Sequence, residues 1–205
     1  MQMNHGALSI GLGLVNVPLF VLIIGAGLLG QDLSDGILPL ALSRPIRRWR
    51  YVLSKYLAVS SLATALSLLN LTLLWFQVQG LRFDNVGFDE VVFFLQVPIN
   101  AFGTGAVLLL FSSILPGAAD VAVIILLTLF MLLLSILEEV LRIPGMNEIS
   151  TNLSKLVYPT IQLEEMVSMR SLICLDVGLY LTVVILCLTG AVLIINQKEL
   201  SYGSG

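Results

Sequence analysis

Ser171 to Ile195 reads SLICLDVGLYLTVVILCLTGAVLII, and this stretch decides the fold class. Asp176 is the single charged residue within it. A helix of about 20 apolar residues crosses the roughly 30 Å of hydrocarbon in a bilayer, and it satisfies its own backbone hydrogen bonds there. The stretch therefore predicts a membrane-spanning helix.

Apolar runs of comparable length precede it at Ala7 to Leu29, Val52 to Phe76, Val91 to Leu115 and Ala118 to Leu137. Across the chain 58% of the residues are hydrophobic and 11% are charged. An ordinary soluble domain has about 25% charged residues. We therefore expect an all-α, polytopic transmembrane helical bundle of about five spans, built as a single domain over residues 1–205. Pro116 and Gly117 leave only a tight turn between the third and fourth runs, which predicts a close hairpin.

Basic residues concentrate on one side of the predicted membrane. They are Arg44, Arg47, Arg48, Arg50 and Lys55 after the first run, and Lys198 in the C-terminal tail. Lysine and arginine accumulate next to the cytoplasmic face of a membrane. We therefore expect residues 31–50 and the C-terminus to be cytoplasmic in a multi-pass protein of the plasma or inner membrane.

Residues 138–170 then form the longest segment on the outer side. Pro144, Gly145 and Pro159 are helix boundaries within it. Between these boundaries, apolar residues recur at helical spacing, namely Ile149, Leu153, Leu156 and Val157. This pattern predicts a short amphipathic helix on the surface of the membrane or of the protein.

Gln31 to Tyr56 reads QDLSDGILPLALSRPIRRWRYVLSKY and is the most informative polar segment. We expect Gly30 to end the first span and Asp32 to cap a short helix that follows. Pro45 disfavours a helical Arg44 but suits the first turn of a new helix. The segment thus predicts a helix, a sharp elbow and a second helix that enters the bilayer. The residues alone fit a basic membrane anchor equally well.

This segment resembles the first cytoplasmic loop of ABC-2 type transporter permeases. The matching pattern is an acid, a glycine four residues later, an apolar run, a Leu-Ser-x-Pro-Ile-x-Arg motif and a Lys-Tyr pair. Its members here are Asp32, Gly36, Leu42, Ser43, Arg44, Pro45, Ile46, Arg48, Lys55 and Tyr56. The pattern looks closest to the branch that includes permeases of copper-enzyme maturation and of drug export. Such permeases usually have six spans, and this chain matches from their second span onward. A shortened form, a late start and a helix supplied by another subunit all remain open.

The resemblance implies that the loop contains a coupling helix that docks on a separate cytoplasmic ATPase. The residues implied in coupling are Asp32, Asp35, Gly36, Leu38, Leu42, Ser43, Arg44, Pro45, Arg48 and Lys55. The implied partners are two cytoplasmic ABC ATPase subunits, which bind ATP and Mg, and a second permease subunit in a homo- or heterodimer. The outer segment resembles the short helices that cap the translocation path before the last span. The implied activity is export of a substrate that the residues do not specify.

No catalytic apparatus is expected in this chain. It lacks the G-x-x-x-x-G-K-[ST] sequence that binds nucleotide phosphates, and no cofactor, metal or nucleic acid is indicated. An intramembrane glutamate protease is the enzymatic alternative, because Glu138 and Glu139 precede Arg142 at a membrane boundary. It is disfavoured because His5 is the single histidine, so a water-activating pair of Glu and His cannot be assembled. A membrane scaffold or assembly factor without transport activity is the second function considered.

Polar residues inside the apolar runs have two interpretations. Asn70, Gln96, Asn100 and Asp176 are either interhelical hydrogen-bond partners or part of a translocation path. Small residues favour close helix approach, and they are Ala101 with Gly105, and the cluster Gly25, Ala26 and Gly27. Cys174 and Cys187 are expected to be packing residues.

Overall fold

The computed structural model describes residues 17–34, 48–79, 88–141, 145–161 and 173–200. Within these ranges the chain is all-helical, as predicted. The helices are α1 (residues 17–25), α2 (Gly30–Ser34), α3 (Arg48–Gln79), α4 (Phe88–Ile114), α5 (Ala119–Leu141), α6 (Met146–Val157) and α7 (Ile173–Leu200).

Four helices in the described ranges are long and apolar enough to cross a membrane. Their spanning windows are Arg48–Gln77, Phe94–Ile114, Ala119–Leu137 and Asp176–Gln197. Each window corresponds to one of the five predicted runs, and the four helices are compatible with the helical bundle of a membrane protein. The apolar segment Val17–Asp32 is shorter than these four.

The end of the first predicted span is corrected. We expected a continuous helix to Leu29 that ends at Gly30, but α1 ends at residue 25 and a turn follows over residues 26–29. Gly27 has a φ of 67° in this turn, a conformation that side chains disfavour. Gly30 begins α2, and Asp32 lies in the first turn of α2 instead of preceding it as a cap.

α4 is the central helix of the bundle. Of its spanning window, 56% is buried, whereas the windows of the other three helices are 17–28% buried. One hydrophobic cluster joins α1, α3, α4 and α5 around Val21, Ala63 and Leu108. A second joins α3, α4 and α7 around Val52, Leu109 and Ala191, and the buried free Cys187 packs within it. The remaining apolar faces are exposed, as expected for helices surrounded by lipid.

Two of the predicted close approaches are confirmed. A Cβ on Gly105 would lie 2.5 Å from Oγ of Ser60 on α3, and a Cβ on Gly25 would lie 2.3 Å from Cδ2 of Leu108 on α4. Glycine at these positions therefore lets α1 and α3 pack closely against α4.

α6 is the predicted amphipathic helix, and it packs on α5. Oγ of Ser150 donates to the carbonyl oxygen of Met131 at 3.0 Å. The buried face differs from the expected one, because Ser150 and Val157 are buried whereas Ile149 and Leu156 are exposed. The hydrogen bond to α5 explains why a serine occupies the buried face.

Candidate functional site

The turn between α1 and α2 breaks the first apolar segment and leaves backbone groups in need of partners. Local bonds satisfy two of them, because the N–H of Leu28 donates to Gly25 at 3.0 Å and that of Gln31 donates to Gly27 at 2.9 Å. An unpaired backbone group in an apolar environment is costly, so broken helices are tolerated where neighbouring helices supply partners. Four other backbone groups at this break bond to side chains of three different helices.

Asp120 supplies the first of these side chains. It lies at the start of α5 and is fully buried. Its carboxylate accepts from the N–H of Gly27 at 3.1 and 3.3 Å and from its own neighbour, the N–H of Val121, at 2.8 Å. A carboxylate in the first turn of a helix also interacts favourably with the helix dipole. Asp120 thus stabilises both the turn after α1 and the beginning of α5.

Ser112 supplies the second side chain, from the last turn of α4. Its Oγ accepts from the N–H of Leu29 at 2.9 Å and from the N–H of Gly30 at 3.2 Å. The backbones are very close here, since a Cβ on Gly30 would lie 2.5 Å from the carbonyl oxygen of Gly117. Only glycine fits at position 30 while the turn after α4 stays in place.

Lys55 supplies the third side chain, from α3. Its Nζ donates to the carbonyl oxygen of Leu28 at 2.8 Å and forms an ion pair with Asp32 on α2. The hydroxyl of Tyr51, one turn earlier on α3, donates to the same carboxylate of Asp32. The ammonium of Lys55 lies 5.4 Å from the centroid of the Tyr51 ring, so the three side chains form one compact group.

We call Asp32, Tyr51, Lys55, Ser112 and Asp120 the break cluster. Through these residues α2 and the turn before it are held to α3, to the end of α4 and to the start of α5. The carboxylates accept hydrogen bonds from groups of the protein itself. No group of three or more His, Cys, Asp or Glu in the described ranges is arranged to hold a metal ion. This arrangement fixes the position of α2 and the turn before it relative to α3, α4 and α5, so that these elements can move together.

The structure brings together two of the residues implied in coupling, Asp32 and Lys55. Arg48 is the first residue of α3, two turns before Lys55. The others lie outside the described residues, and they are Asp35, Gly36, Leu38, Leu42, Ser43, Arg44 and Pro45. The predicted elbow therefore stays a prediction.

The four polar residues considered for a translocation path occupy different environments. Asn70 and Gln96 are half-buried on α3 and α4. Asn100 is buried, and its Oδ1 has no hydrogen-bond partner among the described residues. Asp176 is exposed and lines a cavity beside α6 to which the other three do not contribute. The structure does not gather these four side chains into one site.

Sequence reasoning missed Tyr51, Ser112 and Asp120 as site residues. Asp120 could have been identified from the sequence, because an acid inside an apolar run is costly unless it has a partner. Ser112 could not, since serine is common in membrane helices.

Comparisons with known proteins identify a family and nothing closer. Neither the curated proteins nor the solved structures contain a match to the chain. One family model, described as "Protein of unknown function (DUF2705)", matches residues 6–201. This match covers nearly the whole chain, and the protein therefore belongs to the DUF2705 family.

Proposed function

We propose that this chain is the membrane-spanning permease subunit of an ABC-2 type transporter. In this role it couples ATP hydrolysis by a separate cytoplasmic ATPase to export of a substrate. The observation that carries the proposal is the attachment of α2 and the turn before it to three long helices, at the start of the loop that resembles a coupling loop.

A coupling element must transmit displacement without being deformed itself. α2 overlaps residues 32–42, which we propose as the docking part of the loop, and we propose residues 43–55 as the elbow that transmits movement. A displacement of α2 and the turn before it would reach α3 through Lys55, α4 through Ser112 and α5 through Asp120. A partner protein shifts a conformational equilibrium only by its differential affinity for the two states. Because α2 is rigidly attached, a difference in the ATPase's affinity for two conformations of the loop can shift the conformation of the spanning helices.

The proposal includes partners and an orientation. Residues 31–50 and the C-terminus are cytoplasmic, and two ATPase subunits there bind ATP and Mg. A second permease subunit completes the translocation path, to which Asn70, Gln96 and Asn100 contribute. The chain itself contributes passage and coupling without chemistry.

Purification of the chain together with any ATPase that is bound to it tests the proposal. The tagged chain is purified, reconstituted in nanodiscs, and assayed for a stoichiometric ATPase and for its turnover. Changing Arg44, Pro45 or Arg48 to alanine is expected to weaken association of the ATPase. Asp32→Asn and Lys55→Met are expected to leave the ATPase bound to the permease. The rate of ATP hydrolysis in these complexes should no longer depend on the permease.

Glu148→Gln is the matched control, because it removes an exposed acid from α6, outside the loop and the break cluster. It should leave association and turnover unchanged. A protein that purifies without any ATPase would instead support a membrane scaffold or assembly factor.

A further inference from the structure

A cavity of about 430 Å³ lies between α6, the residues that follow it and the first turns of α7. Its size falls within the range of about 300–1,000 Å³ that is usual for small-molecule sites. It lies apart from the break cluster, and none of the break-cluster residues lines it.

The walls of this cavity are fixed by contacts with the bundle. The hydroxyl of Tyr180 on α7 donates to the carbonyl oxygen of Ile99 at 2.8 Å. The hydroxyls of Tyr158 and Thr128 lie 2.6 Å apart. Pro159 is buried directly against α4, because a Cβ on Gly103 would lie 2.3 Å from the carbonyl oxygen of Pro159. The cavity is therefore formed before any ligand enters, which lowers the cost of binding.

Two side chains of opposite charge line the cavity and do not form an ion pair with each other. Lys155 on α6 and Asp176 on α7 both contribute to its surface. Neither makes an ion pair with the other or with any other side chain that the structure describes. An anionic and a cationic group of one ligand could each find a partner there.

The position of the cavity relative to the membrane limits the class of ligand. Asp176 is the first residue of the spanning window Asp176–Gln197, which places it at the boundary between water and hydrocarbon. Leu179 and Val183 line the same cavity one and two turns further along α7. The lining thus changes from charged to apolar in the direction of the membrane interior. Tyrosine rings, supplied here by Tyr158 and Tyr180, favour this boundary and also attract organic cations.

We propose that this cavity binds the headgroup of a zwitterionic bilayer phospholipid of the phosphoethanolamine type. Lys155 binds the phosphate, Asp176 binds the ammonium group, and the first acyl carbons lie along Leu179 and Val183. A purely anionic headgroup would leave Asp176 without a cation and would bring negative charge towards it. The site does not depend on the proposed transport function.

Binding of a short-chain lipid to the purified full-length protein tests this assignment. Calorimetric titration with dihexanoyl-phosphatidylethanolamine is compared with titration with dihexanoyl-phosphatidylglycerol, which keeps the phosphate but lacks the ammonium group. The wild-type protein should bind the ethanolamine lipid more tightly. Asp176→Asn should weaken that binding about tenfold and remove the preference, as expected for loss of one charge-assisted contact. Lys155→Met should weaken binding of both lipids.

Two variants control for charge and for folding. Glu148→Gln removes an acid from α6 without lining this cavity and should leave the affinity unchanged. Lys155→Arg keeps the positive charge and should retain binding. Equal affinity of the wild-type protein for both lipids would overturn the assignment. An unchanged preference in Asp176→Asn would overturn it as well.

Discussion

Nζ of Lys55 lies 2.8 Å from the carbonyl oxygen of Leu28, and the same ammonium group pairs with Asp32. One side chain of α3 therefore satisfies a backbone acceptor in the turn after α1 and also holds the carboxylate of α2. The energetic consequences of this arrangement can be measured.

Lys55→Met is expected to lower the free energy of unfolding by about 1–3 kcal/mol, because it leaves the Leu28 carbonyl and the Asp32 carboxylate without this donor. Denaturation in mixed micelles measures the change. Asp32→Asn combined with Lys55→Met should cost less than the sum of the single changes, as expected for residues in direct contact. Arg50→Met, which removes an exposed cation from the same helix, is the control. Strict additivity of Asp32→Asn and Lys55→Met would contradict the pairing.

Asp120→Ala is expected to destabilise the protein by about 1–3 kcal/mol, since it leaves the N–H of Gly27 buried without an acceptor. Asp120→Asn retains one side-chain oxygen and should fall between the wild type and Asp120→Ala. The unfolding temperatures of the three proteins in detergent give their order of stability. The same change at an exposed acid, Asp176→Asn, should alter the unfolding temperature little. If Asp120→Ala matched the wild type, the role of Asp120 in closing the break would be wrong.

Ser112→Ala should lower the stability of the protein and Ser67→Ala should not, although both serines are buried. The Oγ of Ser112 accepts two backbone N–H groups, whereas the Oγ of Ser67 has no hydrogen-bond partner in the described part of the chain. Loss of the Ser112 hydroxyl should cost about 1–3 kcal/mol. Loss of the Ser67 hydroxyl should be neutral or stabilising, because an unpartnered polar group is removed from an apolar environment. Hydrogen exchange at Leu29 and Gly30 should increase in Ser112→Ala alone.

Gly103→Ala is expected to displace the segment after α6, because the new Cβ would lie 2.3 Å from the carbonyl oxygen of Pro159. We expect a loss of about 1–3 kcal/mol, typical of overpacking, and faster proteolysis between α6 and α7. Gly178→Ala is the matched control, since no heavy atom lies within 4 Å of a Cβ at that position. It should stabilise α7 by up to about 1 kcal/mol through higher helix propensity. Equal proteolysis of Gly103→Ala and the wild type would count against tight docking of Pro159.

The long helices could be predicted from the sequence because hydropathy alone determines which segments enter a membrane. The long helices α3, α4, α5 and α7 each correspond to a predicted run, with ends that differ by a few residues. α6 could also be predicted, from its boundary residues and apolar spacing.

The break after α1 could not be predicted in the same way. Residues 26–29 continue an apolar run, and hydropathy does not distinguish a turn from a helix within such a run. The break depends on acceptors from distant residues, Ser112 and Asp120, and no local pattern in the sequence reports that pairing. Asp32 and Lys55 were singled out through a family resemblance, and the structure supplies the physical reason for their proximity.

The separation of these partners along the chain has a consequence for biosynthesis. Asp120 lies 93 residues after Gly27, and Ser112 lies 83 residues after Leu29. The ribosome therefore releases the first apolar segment long before the groups that complete its hydrogen bonds exist. Until α4 and α5 have been synthesised, the backbone N–H groups of Gly27 and Leu29 lack these acceptors.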